Sequence, residues 1–162
     1  MTYPAALYPG EGGEPTATVR RDDTPPDLTW ANGNTTDYLA TGASTGGLFG
    51  LYRWNMSPAE SGAGPHFHRT IAESFYVLLG TVKIFDGRAW VDARPGDFVH
   101  VPPGGIHGFR NESGEIARML IHFAPGAPRG AYFEGLVRWG FEGRPGDDEA
   151  DAFFREHDNN YI

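Results

Sequence analysis

The chain is 162 residues long, enough for one domain with a substantial core, and it contains no cysteine, which excludes disulfides and thiolate ligands. Its formal net charge is −8, and its cations are one lysine (Lys83) and twelve scattered arginines, so a nucleic-acid surface is excluded and a phosphosugar site disfavoured. No apolar run approaches the ~18 residues of a membrane span, and the first ten residues show no basic-then-apolar leader, so no membrane contact and a cytoplasmic location are expected.

Residues 1–37 are rich in Pro, Gly, Thr and Asp, with Pro25-Pro26 and Asn32-Gly33-Asn34 as turn punctuation. They are read as an N-terminal arm that wraps the domain, pairs with a second subunit or stays mobile. Strand signals start at Tyr38. The run Leu48 to Met56 is a strand whose inward face the alternation leaves open. Ser57 to Gly64 reads as a loop, His66 to His68 as the start of a strand, and Ser74 to Leu79 as its successor after a short turn. With Glu73 pointing inward, period two turns Phe75, Val77 and Leu79 inward as well.

Asp86-Gly87 reads as a hairpin turn between Val82–Phe85 and Ala89–Ala93. Phe98–Val101, a strand opening at His107, and Ala117–Phe123 complete the series. Short strands at regular spacing, with 23 glycines and 13 prolines for the turns between them, predict an all-β sandwich or barrel over residues 38–125. From residue 126 the period changes. Phe133, Leu136, Val137 and Gly140 recur at helical spacing, as do Ala150, Phe153, Phe154 and His157, the second set behind an acidic Asp147-Asp148-Glu149 start. Two short C-terminal helices over 126–162 are expected, their apolar faces either capping the barrel or joining a homodimer.

The chemistry concentrates in Gly64-Pro-His66-Phe-His68 and Glu73. On a strand, His66 and His68 project from one face with Phe67 turned away. Two adjacent imidazoles can share a metal ion, and a carboxylate arriving across the turn would complete a three-ligand corner. The spacing is H-x-H-x4-E-x6-G, ending at Gly80. A second stretch, Gly96 to Asn111, reads G-x5-P-x-G-x2-H-x3-N. His100 and His122 are read as surface or supporting residues, and His157 as a helix-terminal charge. Phe75, Val77, Phe109, Tyr52 and Trp54 are candidates for an aromatic substrate pocket, with plain core packing the alternative.

Together the two spacings resemble the paired motifs of the cupin superfamily, small double-stranded β-helix (jelly-roll) barrels. One position departs: Glu60 stands where the first motif has glycine, with Gly62 and Gly64 nearby, which touches loop shape rather than ligand chemistry. The resemblance implies His66, His68, Glu73 and His107 as ligands of one divalent transition metal (Fe, Mn, Ni, Co, Cu or Zn), a set of three nitrogens and one oxygen. Phrases such as Glu73-Ser-Phe-Tyr-Val-Leu-Leu-Gly80 and Pro95-Gly-Asp-Phe-Val-His-Val-Pro102 look like single-barrel bacterial quercetin 2,3-dioxygenase-like cupins. That likeness implies a dioxygenase acting on a small aromatic molecule with O2, in which Glu73 takes the proton of a flavonol hydroxyl. An oxygen-independent isomerase, cyclase or decarboxylase and a non-catalytic small-molecule binder are the alternatives.

Overall fold

The computed structural model describes residues 2–162. Strand structure begins at Leu28, ahead of position 38. The strands are β1 (Leu28–Thr29), β2 (Thr35–Ala40), β3 (Gly50–Met56), β4 (Ser61–Phe67), β5 (Ala72–Leu79), β6 (Val82–Phe85), β7 (Trp90–Ala93), β8 (Phe98–Val101), β9 (His107–Asn111) and β10 (Ala117–Ala124). Helices α1 (Arg129–Glu142) and α2 (Asp147–Glu156) follow, and β11 (Asn160–Tyr161) ends the chain.

Two antiparallel sheets face each other, one ordered β1-β2-β3-β10-β5-β8 and the other β11-β4-β9-β6-β7. Sequence neighbours often lie in opposite sheets, as β4 and β5 do, which is the winding of a double-stranded β-helix. Alternation along each strand places the core. In β3 it is Tyr52, Trp54 and Met56 that are buried, and in β10 Ala117, Met119, Ile121 and Phe123. Glu73, Phe75 and Val77 of β5 face inward as expected, but Leu79 is 41% exposed. The reason is a bulge: Met119 pairs with Val77 while the adjacent Arg118 pairs with Leu79, so Leu78 is left over and the period-two count slips by one.

Ser61 to Gly64, expected as loop, is strand. It pairs with β9 through Ser61↔Asn111, Gly62↔Arg110 and Ala63↔Phe109. Glycine content suggested a loop, but here glycine permits close backbone approach, since a Cβ on Gly62 would lie 2.0 Å from the Phe109 carbonyl oxygen. Asn111, the last residue of the second motif, is fully buried and donates to the Ser57 and Glu115 carbonyls at 2.9 and 2.8 Å. It therefore ties two loops to the end of β9.

Helix α1 lays Phe133 against Tyr52, Trp54 and Phe123, with ring centroids 5.2, 5.2 and 6.4 Å away. Helix α2 packs on α1 where Gly135 leaves room for the Phe153 ring, which a Cβ would meet at 2.5 Å. Both helices thus close one end of the barrel. None is long and apolar enough to cross a membrane.

Burial pushes the hydroxyl pKa of Tyr38, Tyr52 and Tyr132 up, with Glu134 adding to the effect at Tyr38 and Tyr161 at Tyr132. The unfolded chain releases tyrosine protons near pH ~10 while the native chain keeps them. Native protein then binds more protons, so stability is complete below that pH and falls as pH rises above it. Urea midpoints at pH 8 and 11 should show the drop, and Tyr132→Phe should shrink it. Equal midpoints for the parent protein would contradict the burial argument.

Candidate metal centre

The two motifs meet where the sheets face each other. His66 lies on β4 directly opposite His107, the first residue of β9, and His68 sits just past the end of β4. Glu73 arrives from β5 in the other sheet. All four side chains are buried, and one potential ligand atom from each falls within 4.8 Å of all the others. Alternation accounts for His66 on β4 and His68 just past its end, and the sandwich brings Glu73 across.

Each imidazole is fixed by a backbone carbonyl. Nδ1 of His66 lies 2.8 Å from Gly64 O, Nδ1 of His107 lies 3.0 Å from Gly105 O, and Nδ1 of His68 lies 2.6 Å from Asp158 O. A carbonyl only accepts, so each Nδ1 carries its proton and each neutral ring presents a lone pair at Nε2. Yet Nε2 of His68 and of His107 lie 2.9 and 2.8 Å from the same Glu73 Oε2. Lone pairs would then face lone pairs in a buried site. Protonating both rings relieves this, and so does a cation at the shared point. Ligand atoms bound side by side at ~2.1 Å from one ion lie ~3 Å apart. The donor set, its spacing and its orientation all fit a divalent metal.

Burial pulls the His66 pKa down to about 4, opposed by the attraction of Glu73 and aided by repulsion from His107 and His68, so this ring is neutral in the working range. Burial pushes Glu73 up, but the contacts from His107 and His68 outweigh it and hold the carboxyl well below the usual range. His107 is pulled down by burial and raised on balance by Glu73.

A cavity of about 350 Å³ opens onto this cluster, and His66 and Glu73 form part of its wall. Aromatic side chains dominate the rest: Trp30, Trp54, Phe109, Phe123, Tyr132, Phe133, Phe154 and Tyr161. Of the five pocket candidates, Trp54 and Phe109 lie on this wall, whereas Tyr52, Phe75 and Val77 do not. The last three are 1% exposed core residues. Alternation turned Phe75 and Val77 inward and left the face of Tyr52 open, and it could not show what covers any of them. Phe133 of α1 lies over Tyr52, while Phe75 and Val77 fill the barrel beyond Glu73 beside Met119 and Ile121.

Two supports of the site carry no signal in the motifs. Asp158, in the left-handed region at φ 56°, offers its carbonyl to His68 while its carboxylate accepts from Arg69 N, Thr70 N and Thr70 Oγ1 at 2.7–3.0 Å. β11 then pairs with β4, placing Tyr161 opposite His66 with the two rings 5.2 Å apart. Arg129, at the start of α1, donates to His157 O at 2.8 Å and Asn159 Oδ1 at 2.9 Å, holding this C-terminal turn from the other side. His100 takes no part in the centre. It meets Ser74 Oγ at 3.0 Å on the outer face, and His122 stacks on Phe49 there.

Comparison with known proteins gives one consistent answer on fold. Residues 52–123 match the Cupin domain family model. A 61-residue stretch is 33% identical to quercetin 2,3-dioxygenase of Bacillus subtilis, covering 38% of this chain and 18% of that relative, so the match spans under a fifth of the relative's length. A structure described as a predicted oxalate decarboxylase from Thermotoga maritima superposes with TM-score 0.59 at 20% identity, over 67% of this chain and 99% of that one. The polyketide cyclase RemF from Streptomyces resistomycificus superposes with TM-score 0.55 at 26% identity, over 69% of this chain and 81% of that one. Residues 52–123 match a cupin domain, and the chain folds as a cupin double-stranded β-helix.

Proposed function

We propose that His66, His68, Glu73 and His107 hold one divalent transition metal per chain, and that the chain is a metal-dependent dioxygenase of the quercetinase-like type. The observation that carries this reading is the aromatic cavity opening onto three oriented imidazoles and a carboxylate. A bound divalent ion would supply Lewis acidity and a fixed point of attachment for a substrate oxygen. The substrate class is a flavonol or similar aromatic enol.

The protein's own residues do the rest. Trp54, Phe109 and Phe133 provide flat apolar walls for a planar ring and keep water away from it. Glu73 accepts the enol proton. In the metal-free site the contacts from His107 and His68 hold its carboxyl well below the usual carboxylate range, so Glu73 starts in the ionised form that a base requires. The likeness to quercetin 2,3-dioxygenase supports the oxygen-consuming version.

A second reading, an oxygen-independent cyclase or related tailoring enzyme, draws on the likeness to the polyketide cyclase. Protein loaded separately with each candidate metal is offered flavonols, with oxygen uptake and substrate absorbance recorded in air and under nitrogen. Uptake coupled to flavonol loss is the expected result. Turnover that persists under nitrogen selects the second reading, and no uptake with any metal removes the flavonol claim.

A further inference from the structure

Arg129 is 4% exposed, yet among the described residues it has no carboxylate partner. The ion pairs among the described residues involve other arginines, Lys83 and the site histidines. Two of its N–H groups reach neutral oxygens on His157 and Asn159, and its Nε finds no acceptor. The guanidinium lies over the Tyr132 ring at 4.2 Å and near Phe123 at 5.0 Å. Aromatic faces soften a buried cation without neutralising it.

Arg129 also stands on the cavity wall. Among the described residues lining that cavity, it and Glu73 are the charged side chains, and Glu73 is engaged by His68 and His107. The cavity is therefore a largely aromatic box whose wall carries one cation without a carboxylate partner, alongside the amides of Asn32, Asn34 and Asn159. An anionic group on an otherwise flat, apolar molecule would meet that cation's need.

We propose that the cavity selects aromatic anions, with an acidic oxygen of the ligand (carboxylate or ionised enol) placed against Arg129. This inference deepens the functional reading above, since it concerns the same cavity, but its test is a binding measurement on metal-free protein and does not depend on turnover. Trp30 and Trp54 line the cavity and serve as fluorescent reporters.

The probes are 2-naphthoate, the isosteric neutral 2-naphthamide, and cationic 2-naphthylmethylamine, titrated into chelator-treated protein at pH 8 by tryptophan quenching and calorimetry. The expected order is carboxylate, then amide, then ammonium, with at least a tenfold gap between the first two. In a folded Arg129→Gln the gap between carboxylate and amide should fall below twofold, whatever amide affinity the loosened C-terminal turn leaves. If that variant does not fold, the ranking in the parent protein decides. Equal binding of carboxylate and amide by the parent, or a gap that persists in a folded Arg129→Gln, would overturn the proposal. Failure of the metal or oxygen experiments would leave this ranking intact.

Discussion

Exchanging His68 for glutamine strips the protein of divalent metal while leaving the β-sandwich folded. Metal content should fall from about one ion per chain to less than about a tenth, because a site needing deprotonated imidazoles at fixed spacing loses a whole ligand. The loss should exceed the ~10–100-fold effect of removing an outer hydrogen-bond partner. His107→Gln should behave alike, since both rings converge on the same Glu73 oxygen at 2.9 and 2.8 Å. Their hydrogen-bonding role at Nδ1 is to a carbonyl in each case, and glutamine's amide can meet that need without a nitrogen lone pair at the centre. Metal analysis beside circular dichroism checks it. A folded variant that keeps its full metal content would contradict the ligand assignment.

Removing residues 158–162 should weaken metal binding by about 10–100-fold without replacing a single ligand. The deletion takes away the carbonyl that fixes His68 Nδ1, the β11 strand beside His66, and the Tyr161 ring packed on His66. With its acceptor gone, His68 can rotate and exchange tautomers, and the Nε2 lone pair is no longer held toward the centre. Asp158→Asn provides the contrast. It keeps the carbonyl and the left-handed backbone, which Asn tolerates, and alters only the carboxylate that accepts from Arg69 and Thr70. Its effect on metal affinity should be several-fold smaller than the deletion's. Competition with a chromophoric chelator measures both. Equal losses would mean that the carboxylate, not the carbonyl, orients the ring.

The parts of this architecture that lie close together in sequence were the parts legible there. His66 and His68 sit two apart, and strand alternation alone put them on one face. His107 with Asn111, and Glu73 with Phe75 and Val77, followed by the same period. Alternation counted Leu79 wrongly because the bulge beside Met119 is a property of pairing with β10, not of β5 alone. The strand at Ser61 to Gly64 was hidden for a related reason: its small residues look like loop until β9 lies against them.

The clasp at Asp158 was beyond reach. Its key atom is a main-chain oxygen, which every residue possesses, and it acts on a ring ninety positions away along the chain. Arg129 was equally silent, since an isolated arginine near a helix start looks like a surface charge. Only its burial beneath aromatic rings and the absence of a carboxylate partner among the described residues give it meaning. The pocket candidates divided on the same principle. Trp54 and Phe109 line the cavity, whereas α1 covers Tyr52, and which of these faces stays open depends on where the C-terminal helices land.

X-ray absorption at the metal edge of the loaded protein tests the account at its centre. A single ion per chain should show a first shell of nitrogen and oxygen at roughly 2.0–2.2 Å, with outer-shell scattering from three imidazoles that drops by one ring in His107→Gln. A shell without imidazole scattering, or one unchanged by that substitution, would show that the ion sits elsewhere and that the buried cluster serves another purpose.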